Sequence, residues 1–127
     1  MGDAAYPDDR RYHAEHGWAM LDGDIATFGI TDNAQQALGE IVYFAPPDHE
    51  QALAAGRSYG ELESVKAVSD LVAPLDGSVI EVNEDVVSSP EQVNEHPHSA
   101  WLIRVRVPDS AQYDQLLDAA AYQASLR

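Results

Sequence analysis

The stretch Glu61-Leu62-Glu63-Ser64-Val65-Lys66-Ala67-Val68-Ser69-Asp70 decides how the rest of this 127-residue chain is read. Lys66 is the only lysine, and every other cationic side chain is an arginine. No cation lies between Arg11 and Arg57, and Lys66 stands alone between Arg57 and Arg104. Glu61, Glu63 and Asp70 surround that one ammonium, with apolar residues alternating on both sides. Such alternation predicts strand–turn–strand, with Lys66 at the turn. A turn lysine projects its four-carbon stem away from the core, where a modifying enzyme can reach it. A catalytic Schiff-base lysine is instead buried or placed beside another cation. Here Glu63 and Asp70 favour the charged amine, so it is not self-activated as a nucleophile. The residues therefore point to a lysine displayed for modification. A plain solvated turn lysine in a lysine-poor acidic chain is the bland alternative.

The chain before and after Lys66 reads as mainly β. Trp18 to Leu21 and Ile25 to Ile30 form a predicted hairpin around Asp22-Gly23-Asp24. Thr31 or Asp32 caps a short helix through Ala34 and Leu38 that stops at Gly39. Glu40 to Phe44, Ser58 to Val65, Asp70 to Ala73, Ser78 to Val82 and Trp101 to Val107 follow as predicted strands. Two strand–turn–strand units thus flank Lys66, the pattern of a flattened barrel or sandwich of two related antiparallel sheets. Residues 85–98 read as a long connection, since Pro90 and Pro97 block regular structure. After Pro108, Tyr113, Leu116, Leu117, Ala120, Ala121 and Ala124 predict one amphipathic C-terminal helix. Residues 1–11 read as a flexible, solvated N-terminal arm, and 12–127 as a single domain.

Composition excludes several function classes. A net charge of −15 opposes binding to nucleic acid or to an anionic membrane surface. The absence of cysteine removes disulfides, thiolate nucleophiles and Cys-ligated metals. No apolar run has the length of a membrane span, and the acidic N-terminus resembles neither a signal nor a transit peptide. A soluble cytoplasmic monomer is the expectation. The five histidines lack metal-ligand spacing: His13 and His16 suit a metal only on a helix, and His96-Pro97-His98 cannot be helical. The carboxylates are scattered rather than paired. Gly56 and Gly60 do not make a phosphate loop, and Ser64, Ser88 and Ser89 lack a nucleophile-elbow context. No enzyme site converges; the expectation is a non-catalytic protein.

Glu63-Ser64-Val65-Lys66-Ala67-x-Ser69-Asp70 resembles the lysine motif of the glycine cleavage system H proteins, a family of lipoyl carriers. The resemblance spans nearly the whole chain. Gly29-Ile30-Thr31-Asp32-x-Ala34-Gln35-x-x-Leu38-Gly39 precedes the lysine in the family order. Ala73-Pro74-x-x-Gly77 and Val82-Asn83 follow it, and Ser89-Pro90-x-x-Val93-Asn94-x-x-Pro97 and Trp101-Leu102 come after those. Leu117-x-Ala119-x-x-Tyr122 matches the terminal helix. Together and in order these motifs are highly specific.

The resemblance implies lipoate in amide linkage on Lys66. It implies lipoylation recognition at Glu63 and contact with the arm or its cargo at Asp70. The implied partners are the glycine decarboxylase P-protein, the aminomethyltransferase T-protein, dihydrolipoamide dehydrogenase, and a lipoate ligase or a lipoyl/octanoyl transferase. In the family cycle the carrier shuttles glycine's aminomethyl group from the decarboxylase to the folate-dependent transferase, then is reoxidised. Three positions depart from the family pattern. Gly17 stands where His-Glu-Trp supplies a carboxylate to the cargo ammonium, Glu50 replaces a turn glycine, and Pro97-His98-Ser99-Ala100-Trp101 replaces a glycine-containing turn. The departures bear on cargo protection, not on attachment. Alternatives are an H-like relay that donates lipoyl groups or carries another cargo, a biotinyl or acyltransferase-type carrier domain, and an unmodified interaction protein. A biotinyl carrier has Met on both sides of its lysine, where this chain has Val65 and Ala67.

Overall fold

The computed structural model describes residues 6–126. In chain order its elements are β1 (Arg11–Tyr12), β2 (Gly17–Asp22), β3 (Ile25–Ile30), α1 (Asp32–Leu38), β4 (Ile41–Ala45), β5 (Ala52–Leu53) and β6 (Ser58–Ser64). They continue with β7 (Val68–Val72), β8 (Gly77–Val82), α2 (Glu84–Ser88), α3 (Gln92–Glu95), β9 (Ile103–Arg106), α4 (Ala111–Asp114) and α5 (Ala119–Ser125). The strands form two antiparallel sheets, one ordered β1-β2-β3-β9-β8-β5 and one ordered β4-β6-β7. Neither closes on the other, so the flattened barrel or sandwich is a sandwich.

Period-two alternation in each strand sends one set of side chains between the sheets. Ala26 and Phe28 from β3, Leu62 from β6, Val79 from β8 and Ile103 and Val105 from β9 are fully buried there, with Ile41 and Phe44 from β4. The helix after β3 starts as expected, because Thr31 Oγ accepts from Ala34 N at 3.2 Å. It stops at Gly39, whose φ of 82° is left-handed.

The structure departs from the sequence expectations in four places. The two strand–turn–strand units are not equivalent sheets. β7 belongs with β6, but the chain crosses to the larger sheet at Pro74–Asp76, so β8 pairs with β9 and β5. The 85–98 connection holds two short helices, α2 and α3; Asn83 caps α2, and Pro90 falls between the helices rather than inside one. The single C-terminal helix is broken. Tyr12 and Leu117 exchange backbone hydrogen bonds of 2.7 and 2.9 Å, which holds Leu117 extended, and Asp118 caps a fresh helix by accepting from Ala121 N.

The fourth departure is the arm. Its residues 1–5 lie outside the described residues, but from Tyr6 onward it packs. Tyr12 Oη donates to Pro7 O, and Tyr6 meets the rings of Tyr12, Tyr122 and His98 at 5.1–6.0 Å. Arg10 is buried over Trp18 and donates to His98 O at 2.7 Å. The Asp9 carboxylate at 2.8 Å, a carbonyl partner and a cation–π contact satisfy this guanidinium, so an arginine in the polar N-terminal arm becomes an anchor.

Candidate functional site

β6 and β7 form a hairpin with Glu61 opposite Asp70, Leu62 opposite Ser69 and Glu63 opposite Val68. Lys66 lies at its tip. Among the described residues the only non-glycine residues with positive φ are His16 and Glu50, so the tip uses no left-handed residue. Ser64 closes it instead. Its Oγ accepts from Lys66 N at 3.2 Å and from Ala67 N at 3.0 Å, while its backbone N donates to Ala67 O at 2.7 Å. A second tie holds the tip to the body, from Val65 N to Glu40 O at 3.0 Å. Buried Ser64 thus fixes the backbone on both sides of an exposed lysine. The stem of Lys66 passes over the end of α1: a Cβ added at Gly39 would come within 3.3 Å of Lys66 Cε. Lys66 enters no ion pair among the described residues.

Strand parity separates the other two predicted residues. Glu63 shares an exposed row with Tyr43 and Val68 just below the tip. Asp70, exposed and opposite Glu61, lies one outward row further down, and there it borders a cleft of about 200 Å³. Leu62, Leu71 and Tyr59 of the small sheet and Leu38 of α1 give this cleft an apolar lining, while Glu15, His16 and Gly17 come from the turn before β2. The structure therefore brings Glu63 to the lysine and Asp70 to the cleft.

Of the 13–17 turn only Gly17 was marked by the sequence as bearing on the cargo; the part played by Glu15 and His16 was not legible. His13 N donates to Gly17 O at 2.8 Å, His16 N to His13 O at 2.9 Å and Thr31 N to His16 O at 3.0 Å. This leaves His16 at φ 72°. Its Nδ1 hydrogen-bonds Tyr122 Oη at 2.7 Å, and Tyr122 Oη meets Thr31 Oγ at 2.8 Å. Burial pushes the Tyr122 phenol up to about 12, against the opposing effect of Thr31. Burial also lowers the pKa of His13, against the opposing effect of Glu15. One chain of polar contacts thus links α5, the α1 cap and the cleft rim. Gly17 is buried, and a Cβ there would meet only Gly29 O at 3.4 Å and Val72 O at 3.8 Å. Backbone geometry does not exclude a side chain at that position.

Comparison with known proteins follows the same architecture. Residues 10–127 match the family model described as glycine cleavage H-protein. The chain belongs to the glycine cleavage H-protein family. The glycine cleavage system H protein of Beutenbergia cavernae is 52% identical over 93% of this chain and 94% of its own length. That of Acidobacterium capsulatum is 45% identical over 97% and 95%. The crystal structure of an H protein from Mycobacterium marinum superposes with a TM-score of 0.86 at 36% identity, covering 94% of this chain and 98% of that one. H proteins are carrier components of the glycine cleavage system, which fits a site built around one displayed amine and a neighbouring cleft. Among the described residues no group of three or more His, Asp or Glu side chains is placed to hold a metal ion. No helix is long and apolar enough to cross a membrane.

Within this H-protein framework the remaining departures have local explanations. Glu50 occupies the left-handed region at φ 67°, the conformation for which a glycine is suited. In the altered late loop Pro97 O accepts from Trp18 Nε1 at 3.0 Å, and His98 Nε2 accepts from Asp32 N at 3.2 Å. The loop is thus tied both to the large sheet and to the start of α1.

Proposed function

We propose that Lys66 carries lipoate in amide linkage and that the loaded protein shuttles the aminomethyl group of glycine. Its partners on this reading are the glycine decarboxylase P-protein, the aminomethyltransferase T-protein and dihydrolipoamide dehydrogenase. Attachment is by a lipoate ligase or a lipoyl/octanoyl transferase. The observation that carries the reading is the exposed Lys66 on a tip clamped by Ser64, at the end of the hairpin that lines an apolar cleft. In attachment, Nζ first gives up a proton to become the neutral amine, then displaces the leaving group of an activated acyl donor, forming the amide and losing a second proton. The bound lipoyl group would supply a disulfide that opens to take up the cargo and a dithiol that is reoxidised afterwards.

The chain's own part is positional. Ser64 and the Glu40 carbonyl hold the tip, so the arm starts from a fixed point. The cleft lies along β7, where Asp70 stands two residues past the strand's start at Val68, roughly 7 Å down the hairpin at a rise of about 3.3 Å per residue. Its apolar lining excludes water from whatever enters, which would slow hydrolysis. Glu15 and Asp70 at the rim offer two carboxylates to an ammonium-bearing cargo. Gly17, with no carboxylate of its own, is what favours the second reading, a relay that donates lipoyl groups or carries another cargo.

Intact-mass analysis of protein produced in a lipoate-competent host is expected to show one lipoyl adduct, absent in Lys66→Arg. An unshifted wild-type mass would overturn the carrier reading, and a biotin-sized shift would replace lipoate by biotin. The cargo question is read from the lifetime of the aminomethyl-loaded form in water. Standard glycine cleavage predicts equal lifetimes for the wild type and Gly17→Glu, and a shorter one for Glu15→Gln. A much longer lifetime for Gly17→Glu would support the relay.

A further inference from the structure

The exposed large hydrophobic side chains among the described residues are Val42, Tyr43, Val65 and Val68, 47–68% exposed. All four gather around Lys66. Val65 is its chain neighbour, and Val68 and Tyr43 flank Glu63 in the first outward row. Val42 is there because the β4–β6 register shifts between Ile41 and Tyr43, so two consecutive β4 side chains face solvent between the buried Ile41 and Phe44. Isolated exposed apolar residues need no explanation, but a cluster confined to one tip does. Carboxylates ring it: Glu40, Glu61, Glu63 and Asp70, all exposed.

We infer that this apolar row with its acidic rim is the surface that docks the enzyme acylating Lys66, and that its complement is an apolar, basic-rimmed active-site mouth. The inference rests on the carrier reading. A second copy of this chain is a poor occupant, because each copy carries −15 and brings the same acidic ring. An enzyme that works on the far end of a long arm can act without touching the tip. One that forms the amide must bring its acyl carbonyl to Nζ and so must close over Val65, Val68 and Tyr43. That closure has a chemical use. Acylation needs the amine in its neutral, nucleophilic form, and burying an amine in apolar surroundings favours that form. Contact with the four apolar side chains removes water from the amine, while basic groups on the enzyme neutralise the rim.

The test is the steady-state rate of lipoylation by purified lipoate ligase with lipoate and ATP, followed by intact mass. Val65→Thr/Val68→Thr keeps shape and β-branching but adds hydroxyls, and Tyr43→Ser removes the ring. Each variant is expected to lower kcat/KM by about tenfold or more, in line with loss of a buried interface anchor. Asp22→Ser on the far β2–β3 turn is expected to leave it unchanged. Added salt should lower kcat/KM for the wild type, as it screens the rim. Retained thermal midpoints would tie the losses to docking rather than to folding. A kcat/KM equal to wild type in the double variant would overturn the inference while leaving the carrier reading intact. Absence of any adduct on the wild type would overturn both. A wild-type dimer that the Thr substitutions dissociate would assign the surface to a second copy instead.

Discussion

Two hairpins of this molecule solve the same backbone problem differently. The β2–β3 turn, Asp22-Gly23-Asp24, reverses the chain with a left-handed glycine at φ 65° and presents only acids. It is pinned by Arg106 on Asp24 at 2.9 Å and by Val107 N donating to Asp24 O at 2.7 Å. The β6–β7 turn has no glycine. A buried serine side chain supplies the turn's hydrogen bonds, and the residues presented are Val65 and Lys66. A left-handed glycine makes a turn that any polar surface can tolerate. A serine clamp lets side chains with volume and chemistry occupy every outward position, which is what a modification site requires.

Both hairpins rest on one core, so the largest expected effects lie beneath them. Leu62→Ala under the Lys66 hairpin and Phe28→Ala under the other should each cost about 2–5 kcal/mol, measured by urea unfolding. Equal costs would show that the difference between the hairpins is confined to their tips. Alkaline titration comes next. Burial raises the phenols of Tyr12, Tyr59 and Tyr122 above the ordinary 10.0. Between pH 10 and about 12 the folded state holds protons that the unfolded state has lost. Stability should therefore be full below pH 10 and fall as pH rises. Tyr122→Phe should make that fall shallower, seen in thermal midpoints against pH.

Smaller effects separate the tips themselves. Ser64→Ala leaves two backbone N–H groups without their acceptor and should cost about 1 kcal/mol, with slower lipoylation. Gly23→Ala should cost a similar amount through φ alone, since nothing lies within 4 Å of the added Cβ, and should leave lipoylation unchanged. Glu50→Gly, which releases a non-glycine residue from φ 67°, should raise stability by up to about 1 kcal/mol. Val65→Thr, on an exposed side chain, should move stability by less than about 0.5 kcal/mol while affecting modification.

The strands were legible where alternation is clean: β3 is as expected, and β2, β4, β6 and β8 differ by one or two residues. The α1 cap was legible because Thr31 and Gly39 carry their own local chemistry. What escaped depends on distant partners. Leu117 fits a helical stripe, but pairing with Tyr12, more than a hundred residues away, holds it extended. α2 and α3 are too short for periodicity to reveal. The packing of Arg10 depends on the late loop, far away in sequence, and on Trp18, which the β1–β2 turn folds back over it. The site divides in the same way. Lys66 announces itself as the only lysine, and the exposed row follows from strand parity once the register is known. Glu15 and His16 reach the cleft through a left-handed turn and a tyrosine from the last helix, for which the sequence has no local signal.

The register shift in β4 has a consequence in the language of heredity. In a regular strand, losing one codon turns every later side chain to the opposite face and empties the core. At Val42 the loss would merely join Ile41, opposite Ser64, to Tyr43, opposite Glu63, restoring a plain ladder with Phe44 still facing inward. β4 therefore has one position whose deletion a lineage could survive, and it belongs to the surface beside Lys66. The grip of a modifying enzyme could be adjusted there in single steps, without disturbing the fold that supports it.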